Sequence, residues 1–202
     1  MSLPERLSEI FLDEGIISEE DREMIQFGLE SMEGNLAGVF LVLAVGILFG
    51  KVTDAILFYV FFFPLRKSIG GFHANTRVRC LLSSTLILLM TFMVFSLFEN
   101  SEIFYWSCFG VCGCVIFLLA PVDNPAKRFD AVEQKTYRKR SKIILAMESI
   151  LFIASFFSWI LLARSLCMTF FVACTSILLG VLKNGMQEKE KDQKDMKKLS
   201  RP

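Results

Sequence analysis

Residues 81–98 read LLSSTLILLMTFMVFSLF, an apolar run of 18 residues that contains no charged side chain. A helix of roughly 17–25 such residues is long enough to cross about 30 Å of hydrocarbon. Three further stretches have the same apolar character, and they cover residues 103–120, 143–162 and 165–182. The sequence therefore predicts four membrane-spanning helices in these positions.

Two earlier apolar stretches, 36–50 and 55–65, are shorter and are separated by only four residues. They form either two thin or tilted spans, lengthened by flanking residues, or one re-entrant hairpin. Because they come as a pair, both alternatives leave the orientation of the later helices unchanged. We predict an all-α fold, a polytopic transmembrane helical bundle of about six membrane segments.

The composition excludes most soluble classes. Of the 202 residues 53% are hydrophobic, 21 are Phe, and the mean hydropathy is +0.51. Such values are typical of a membrane protein and make the lipid bilayer the first expected partner. The formal charge is only +1, so no excess of basic residues favours nucleic acid, and we expect no nucleic-acid partner.

The basic residues are distributed unevenly along the chain, and this distribution predicts the topology. They concentrate in segments 66–80, 121–142 and 183–202, whereas the short connections between the other apolar stretches hold only Lys51 and Arg164. Basic side chains resist translocation during membrane insertion. Placing the N- and C-termini in the cytoplasm puts 20 of the 22 basic residues there.

Three regions follow from these patterns. Residues 1–35 hold ten carboxylates and two arginines, and we predict an acidic amphipathic N-terminal region of one or two short helices in the cytoplasm. It either docks a partner or is simply solvated. Residues 36–182 form the predicted membrane domain, and residues 183–202 form a basic cytoplasmic tail.

Segment 66–80 reads RKSIGGFHANTRVRC and holds His73, the only histidine of the protein, seven residues before Cys80. A thiol with an imidazole in reach is the minimum apparatus of a cysteine nucleophile. In one continuous helix, however, seven residues rise about 10.5 Å, which is too far for a direct hydrogen bond. The pair therefore requires a break in the helix between the two residues.

The same segment supplies such a break. Gly70 and Gly71 allow backbone angles that other residues avoid, and Asn75 or Thr76 is a suitable N-cap for a helix that continues through Cys80. In that case the thiol lies in the first helical turn, where the helix dipole favours the thiolate. The alternative is a loop histidine near an inert cysteine.

These residues also resemble a known family. The segment is similar to the signature of the accessory gene regulator B family at Arg66, Gly70-Gly71-Phe72-His73-Ala74, Thr76, Arg77 and Cys80, followed by Ser83 or Ser84. Residues 120–125 resemble the second cytoplasmic loop of that family, and the resemblance covers roughly residues 25–185. These are bacterial plasma-membrane cysteine endopeptidases that process precursors of Gram-positive quorum-sensing peptides on the cytoplasmic side.

The resemblance implies a role for each matching position. Cys80 is the expected nucleophile, which cleaves a precursor peptide after the signal sequence and holds the fragment as a thioester, and His73 is the expected general base and acid. A thiol or hydroxyl of the peptide then closes a thiolactone or lactone ring. Arg66 and Gly71 match further required positions, plausible for substrate carboxylates and a tight turn. The resemblance also suggests a homodimer, and no cofactor or metal is expected.

Other residues near the motif are candidates for supporting roles. Asp123 and Glu148 are alternatives for orienting the imidazole; Glu148 alternatively contacts a basic residue of the peptide or reaches toward the basic loop. Lys127 and Arg128 are expected to bind acidic residues of the precursor, or else serve as topology determinants that contact anionic lipid.

Two further interpretations concern the remaining cysteines and the whole protein. The five other cysteines lie in two apolar stretches without a second histidine, which favours helix packing over a zinc site. The functional alternative to a peptidase is a small transporter or peptide-export channel in which Glu148 and Arg164 line the path.

Overall fold

The computed structural model describes residues 3–71, 76–122 and 130–199, and within these ranges the fold is all-α, as predicted. The helices are α1 Leu3–Asp13, α2 Arg22–Leu48, α3 Val52–Ile69, α4 Arg77–Leu97, α5 Glu102–Leu119, α6 Ala131–Phe156 and α7 Ile160–Leu199. A short 3-10 turn, Glu19–Asp21, precedes α2. The described ranges contain no β-strand.

Four of the described helical segments are long and apolar enough to cross a membrane, which identifies the chain as a membrane protein. They are Glu19–Leu48, Val78–Leu97, Glu102–Leu119 and Ile160–Gln187. The first confirms that upstream residues lengthen the apolar stretch 36–50. Helices α3 and α6 carry more charged residues, so the membrane count of six stays a prediction, as does the cytoplasmic placement of the termini.

The N-terminal unit, Met1–Ala44, contains α1 and most of α2. One short helix, α1, precedes the long α2, and an ion pair of 3.4 Å between Arg22 Nη2 and Glu9 Oε1 joins the two. Helix α2 continues without a break through the predicted boundary at residue 35. Val45–Pro202 form the second compact unit, which contains the rest of the described helices.

The predicted span 143–162 was wrong in its boundaries. Helix α6 begins at Ala131 and ends at Phe156, and α7 begins at Ile160. Serine side chains bond back to helix carbonyls at this end, with Ser155 Oγ donating to Phe152 O at 3.2 Å and Ser158 Oγ donating to Ala154 O at 3.0 Å. Hydropathy does not mark this end of α6, which lies inside the predicted span. The short connection makes α6 and α7 an antiparallel hairpin.

Helix α7 is the centre of the second unit, and α3, α4, α5 and α6 pack against it. Phe109 of α5 stacks between the two neighbouring helices, with ring centroids 4.3 Å from Phe152 of α6 and 5.5 Å from Phe170 of α7. Four cysteines are buried between α5 and α7, namely Cys108, Cys112, Cys167 and Cys174. They occupy the positions of small packing residues.

An ion cluster closes the end of the bundle opposite to the end of α3. Arg164 donates two hydrogen bonds to the buried Asp54, from Nε at 2.6 Å and from Nη2 at 2.8 Å, and a third to Glu99. Lys51 Nζ donates to Glu99 Oε2 at 2.8 Å. The hydrogen bond from Lys51, assisted by the charges of Lys51 and Arg164, lowers the pKa of Glu99. The charge of Arg164 is therefore neutralised by two carboxylates.

Candidate active site

Helix α3 ends in a turn formed by Gly70 and Gly71, two residues of the predicted catalytic segment. Gly70 has φ +67° and Gly71 has φ +112°, both in the region that favours glycine. A β-carbon on Gly70 would overlap the carbonyl oxygen of Val122. A β-carbon on Gly71 would come within 2.7 Å of Arg66 Nη1 and 2.9 Å of Ser176 Oγ. The local conformation and the close packing both require glycine here.

This turn joins the two loop segments that the sequence motif singled out. Gly70 and Val122 form an isolated parallel β-bridge. The Val122 N–H donates to Ile69 O at 2.9 Å, and the Gly71 N–H donates to Val122 O at 3.4 Å. The end of α3 is thereby fixed to the segment that follows α5, and the two parts of the family signature meet in space.

Arg66 lies beside this turn and also close to the thiol. Its Nη1 donates a hydrogen bond to Gly70 O, across the last turn of α3. The guanidinium is near enough to Cys80 for an electrostatic interaction between the two side chains. Arg66 therefore holds the glycine turn and lies close to the thiol. Its predicted contact with substrate carboxylates stays a prediction.

Cys80 lies in the first turn of α4 and is half-buried. Thr76 is the N-cap, since its side chain accepts a hydrogen bond from the Arg79 N–H at 3.3 Å. The Cys80 N–H donates to Thr76 O at 3.0 Å, the first hydrogen bond of the helix. The predicted cap and the predicted position of the thiol are confirmed, and the positive end of the helix dipole lies at the sulfur.

Several predicted site residues lie outside the described residues, namely His73, Asp123, Lys127 and Arg128. The pairing of His73 with Cys80 therefore stays a prediction. Glu148 is described and lies on the buried face of α6, at 3% exposure. Ser176 of α7 is a site residue that sequence reasoning missed, because a serine within an apolar run carries no motif.

These features define a class: a polytopic α-helical membrane protein with a half-buried thiol at a capped helix N-terminus, beside an arginine-braced glycine turn. The chain belongs to the accessory gene regulator B family, whose model matches residues 5–187. It is also similar to a putative AgrB-like protein of Clostridium perfringens (strain SM101 / Type A), at 29% identity over 89% of this chain and 86% of the relative. No solved structure gives a significant match. Family membership supports a role in the processing of quorum-sensing peptides.

Proposed function

We propose that this protein is a membrane cysteine endopeptidase that cleaves a quorum-sensing precursor peptide through a thioester on Cys80. The observation that carries the proposal is the position of Cys80: a half-buried thiol in the first turn of α4, capped by Thr76 and close to the Arg66 guanidinium. Reactive cysteines are typically found at a helix N-terminus and beside a cationic side chain. The other five cysteines lack this combination within the described residues.

In the cleavage step, His73 takes the proton of the Cys80 thiol, and the sulfur attacks the peptide carbonyl at the end of the signal sequence. The tetrahedral intermediate collapses, the C–N bond breaks, and the imidazolium returns the proton to the leaving amine. The C-terminal fragment leaves as a free amine, and the N-terminal fragment stays on Cys80 as a thioester. Each proton and electron pair is thereby accounted for.

In the second step a thiol or hydroxyl within the bound fragment attacks the thioester. The C–S bond to Cys80 breaks, a thiolactone or lactone ring closes, and the proton of the attacking group passes through His73 to the Cys80 sulfur, which regenerates the enzyme thiol. Exchange of a thioester for a thiolactone is close to isoenergetic, so the energy of the acyl bond is kept only if water is excluded. The partial burial of Cys80 suits this demand.

The remaining residues support binding of the substrate. Lys127 and Arg128 bind acidic residues of the precursor. Asp123 is a candidate for orienting the imidazole, since it directly follows Val122 of the Gly70–Val122 bridge in the sequence. We expect the protein to work as a homodimer in the bacterial plasma membrane, with the site on the cytoplasmic side. The transporter alternative requires Arg164 to line a transport path. Because Arg164 forms ion pairs with Asp54 and Glu99, its charge is already neutralised within the protein, which does not favour that alternative.

The test is co-expression with any short precursor peptide that is encoded beside this gene, followed by mass spectrometry. Wild type should release the C-terminal fragment and leave an N-terminal product that is lighter by one water than the linear fragment, because the ring has closed. Cys80→Ala and His73→Ala should leave the precursor intact. Cys114→Ala is the matched control, because Cys114 is an exposed cysteine of α5. Normal processing by Cys80→Ala would refute the peptidase.

A further inference from the structure

Helix α6 carries a row of basic side chains near its N-terminal end. Residues 131–147 of this helix include five basic residues and a single carboxylate, Glu133. Four of the five follow one another at intervals of three, one and three residues, namely Lys135, Arg138, Lys139 and Lys142. This spacing places them on one face of the helix, and they are called the basic stripe below. The fifth, Arg140, lies on roughly the opposite side of the helix.

The charges of the basic stripe are not neutralised by the described part of the chain. Lys135, Arg138 and Lys139 are exposed. No residue of the stripe forms an ion pair with a carboxylate of residues 3–71, 76–122 or 130–199. By contrast, Lys51 and Arg164 at the other end of the bundle are both paired with carboxylates. The stripe therefore presents its positive charges to the surroundings of the protein.

The stripe begins near the membrane boundary at the end of α5. Lys142 Nζ lies 4.4 Å from the centre of the Phe117 ring, and Phe117 is two residues before the end of α5. The chain connection agrees with this contact, since α6 is the next helix after α5. The 18 residues of α5 form a candidate membrane span of about 27 Å, close to the thickness of the hydrocarbon layer. The end of α5, and Lys142 with it, therefore lies near the edge of the hydrocarbon.

The rest of the stripe extends into the layer of lipid headgroups. From Lys142 back to Lys135, α6 rises about 10.5 Å. The headgroup layer is about 5–8 Å thick on each side of a bilayer. On the other side of Lys142, residues 143–156 are largely apolar. Long basic side chains at such a boundary place their charged ends among the headgroups, so the stripe is at the depth of the lipid phosphates.

The chemistry of the stripe and its surroundings fits an anionic phospholipid. An arginine can bind two oxygen atoms of one phosphate, and neighbouring lysines add positive charge. The end of α5 beside Lys142 offers apolar surface for the acyl chains, because Phe117 is 50% exposed and Leu118 is 70% exposed. An acidic peptide would match the charges but would leave this apolar surface unused. The lipid is therefore the partner that accounts for both features.

We propose that the basic stripe of α6 binds the phosphate of an anionic phospholipid whose acyl chains lie against the end of α5 beside Phe117. Basic residues that only set the orientation of a membrane protein act by their number near a span, at any position around the helix. A lipid site instead depends on the face that carries them. The inference is independent of the proposed peptidase, because it involves neither Cys80 nor a precursor peptide.

The experiment titrates the full-length protein in detergent micelles with dioleoyl phosphatidylglycerol, an anionic lipid. Dioleoyl phosphatidylcholine is the zwitterionic comparison lipid. Native mass spectrometry counts the lipids bound to each chain and gives their dissociation constants. Arg138→Gln and Lys135→Gln each remove one charge from the stripe. Arg140→Gln is the matched control, because Arg140 is also an exposed arginine of α6 and lies off the stripe.

Wild type should bind phosphatidylglycerol at least about tenfold more tightly than phosphatidylcholine, because several basic residues contribute to the difference. Each stripe variant should weaken binding of phosphatidylglycerol about fivefold, the contribution of one basic residue near an anionic surface. Arg140→Gln should stay within about twofold of wild type, since its charge is off the stripe. All three variants should unfold at the wild-type temperature without lipid, because exposed side chains contribute little to stability.

Three results would overturn the inference. Equal weakening by Arg138→Gln and Arg140→Gln would show a diffuse attraction to anionic lipid without a site on one face. Equal affinity of wild type for the two lipids would show that the phosphate charge is not recognised. Tighter binding of a hexaglutamate peptide than of phosphatidylglycerol, lost in both stripe variants, would identify an acidic peptide as the partner of the stripe.

Discussion

Replacement of Gly71 by alanine tests the arrangement of the site most directly. The φ angle of +112° is in a region that residues with a β-carbon rarely adopt, and holding one there costs about 1–3 kcal/mol. The new β-carbon would also lie 2.7 Å from Arg66 Nη1 and 2.9 Å from Ser176 Oγ, so at least one of these side chains has to move. Because Arg66 Nη1 also donates a hydrogen bond to Gly70 O, the substitution should displace both the glycine turn and the Arg66 guanidinium.

A penalty of 1–3 kcal/mol reduces the population of the native turn by roughly 5- to 150-fold, and processing should decrease by a similar factor. The assay is release of the C-terminal peptide fragment by protein in lipid vesicles, normalised to folded protein. Helical content should change little, because the turn follows the last residue of α3, whereas the free energy of unfolding should fall by about the same 1–3 kcal/mol.

Gly110→Ala is the matched control for this substitution. Gly110 lies inside α5, and a β-carbon there would meet no atom within 4 Å, so full activity is expected. Removing one of the three close contacts by Ser176→Ala should restore only part of the activity of Gly71→Ala, because the backbone strain, the contact with Arg66 Nη1 and the contact with the Ser176 carbonyl oxygen remain. Wild-type processing by Gly71→Ala would refute the assigned role of the turn.

Three further predictions concern the cap and the ion cluster. Thr76→Ala should cost about 1 kcal/mol of stability through loss of the N-cap, and should slow alkylation of Cys80 by iodoacetamide, whereas Thr76→Ser should behave as wild type. Asp54→Asn should destabilise the bundle by about 3–5 kcal/mol in thermal unfolding, because it leaves Arg164 without its buried carboxylate. Since the pKa of Glu99 is lowered in the folded state, its contribution is present above its ordinary pKa and is lost as the pH falls through the folded value. Glu99→Gln should remove that part of the acid destabilisation, and an unchanged dependence of stability on pH below about 4.5 would contradict it.

Local patterns in the sequence predicted the helices and part of the site. Continuous apolar runs predicted α4, α5 and the membrane part of α7, because a run of that length has only one stable form in lipid. The Thr76 cap and the first-turn position of Cys80 also followed from the sequence, since capping depends on residues three or four positions apart. Membership of the family was recognisable from the glycine and cysteine motif.

The boundary between α6 and α7 was not predictable in the same way. The sequence placed the connection at 163–164, where Arg164 interrupts the apolar run, and neither a charge, a glycine nor a proline marks the observed connection at 157–159. The helix ends where Ser155 and Ser158 bond to carbonyls of their own helix. The apolar composition of this stretch therefore does not mark the end of α6.

The sequence alone determined that this protein is an α-helical membrane protein of the accessory gene regulator B family with a candidate nucleophile at Cys80. Only the tertiary structure decided that Ser176 packs on Gly71, that Arg66 donates a hydrogen bond to the same turn, and that Glu148 is buried without a described partner. The physical reason is that helix formation is a local property, whereas contacts between helices depend on the rotation and axial register of each helix. These are set by side-chain packing over the whole bundle.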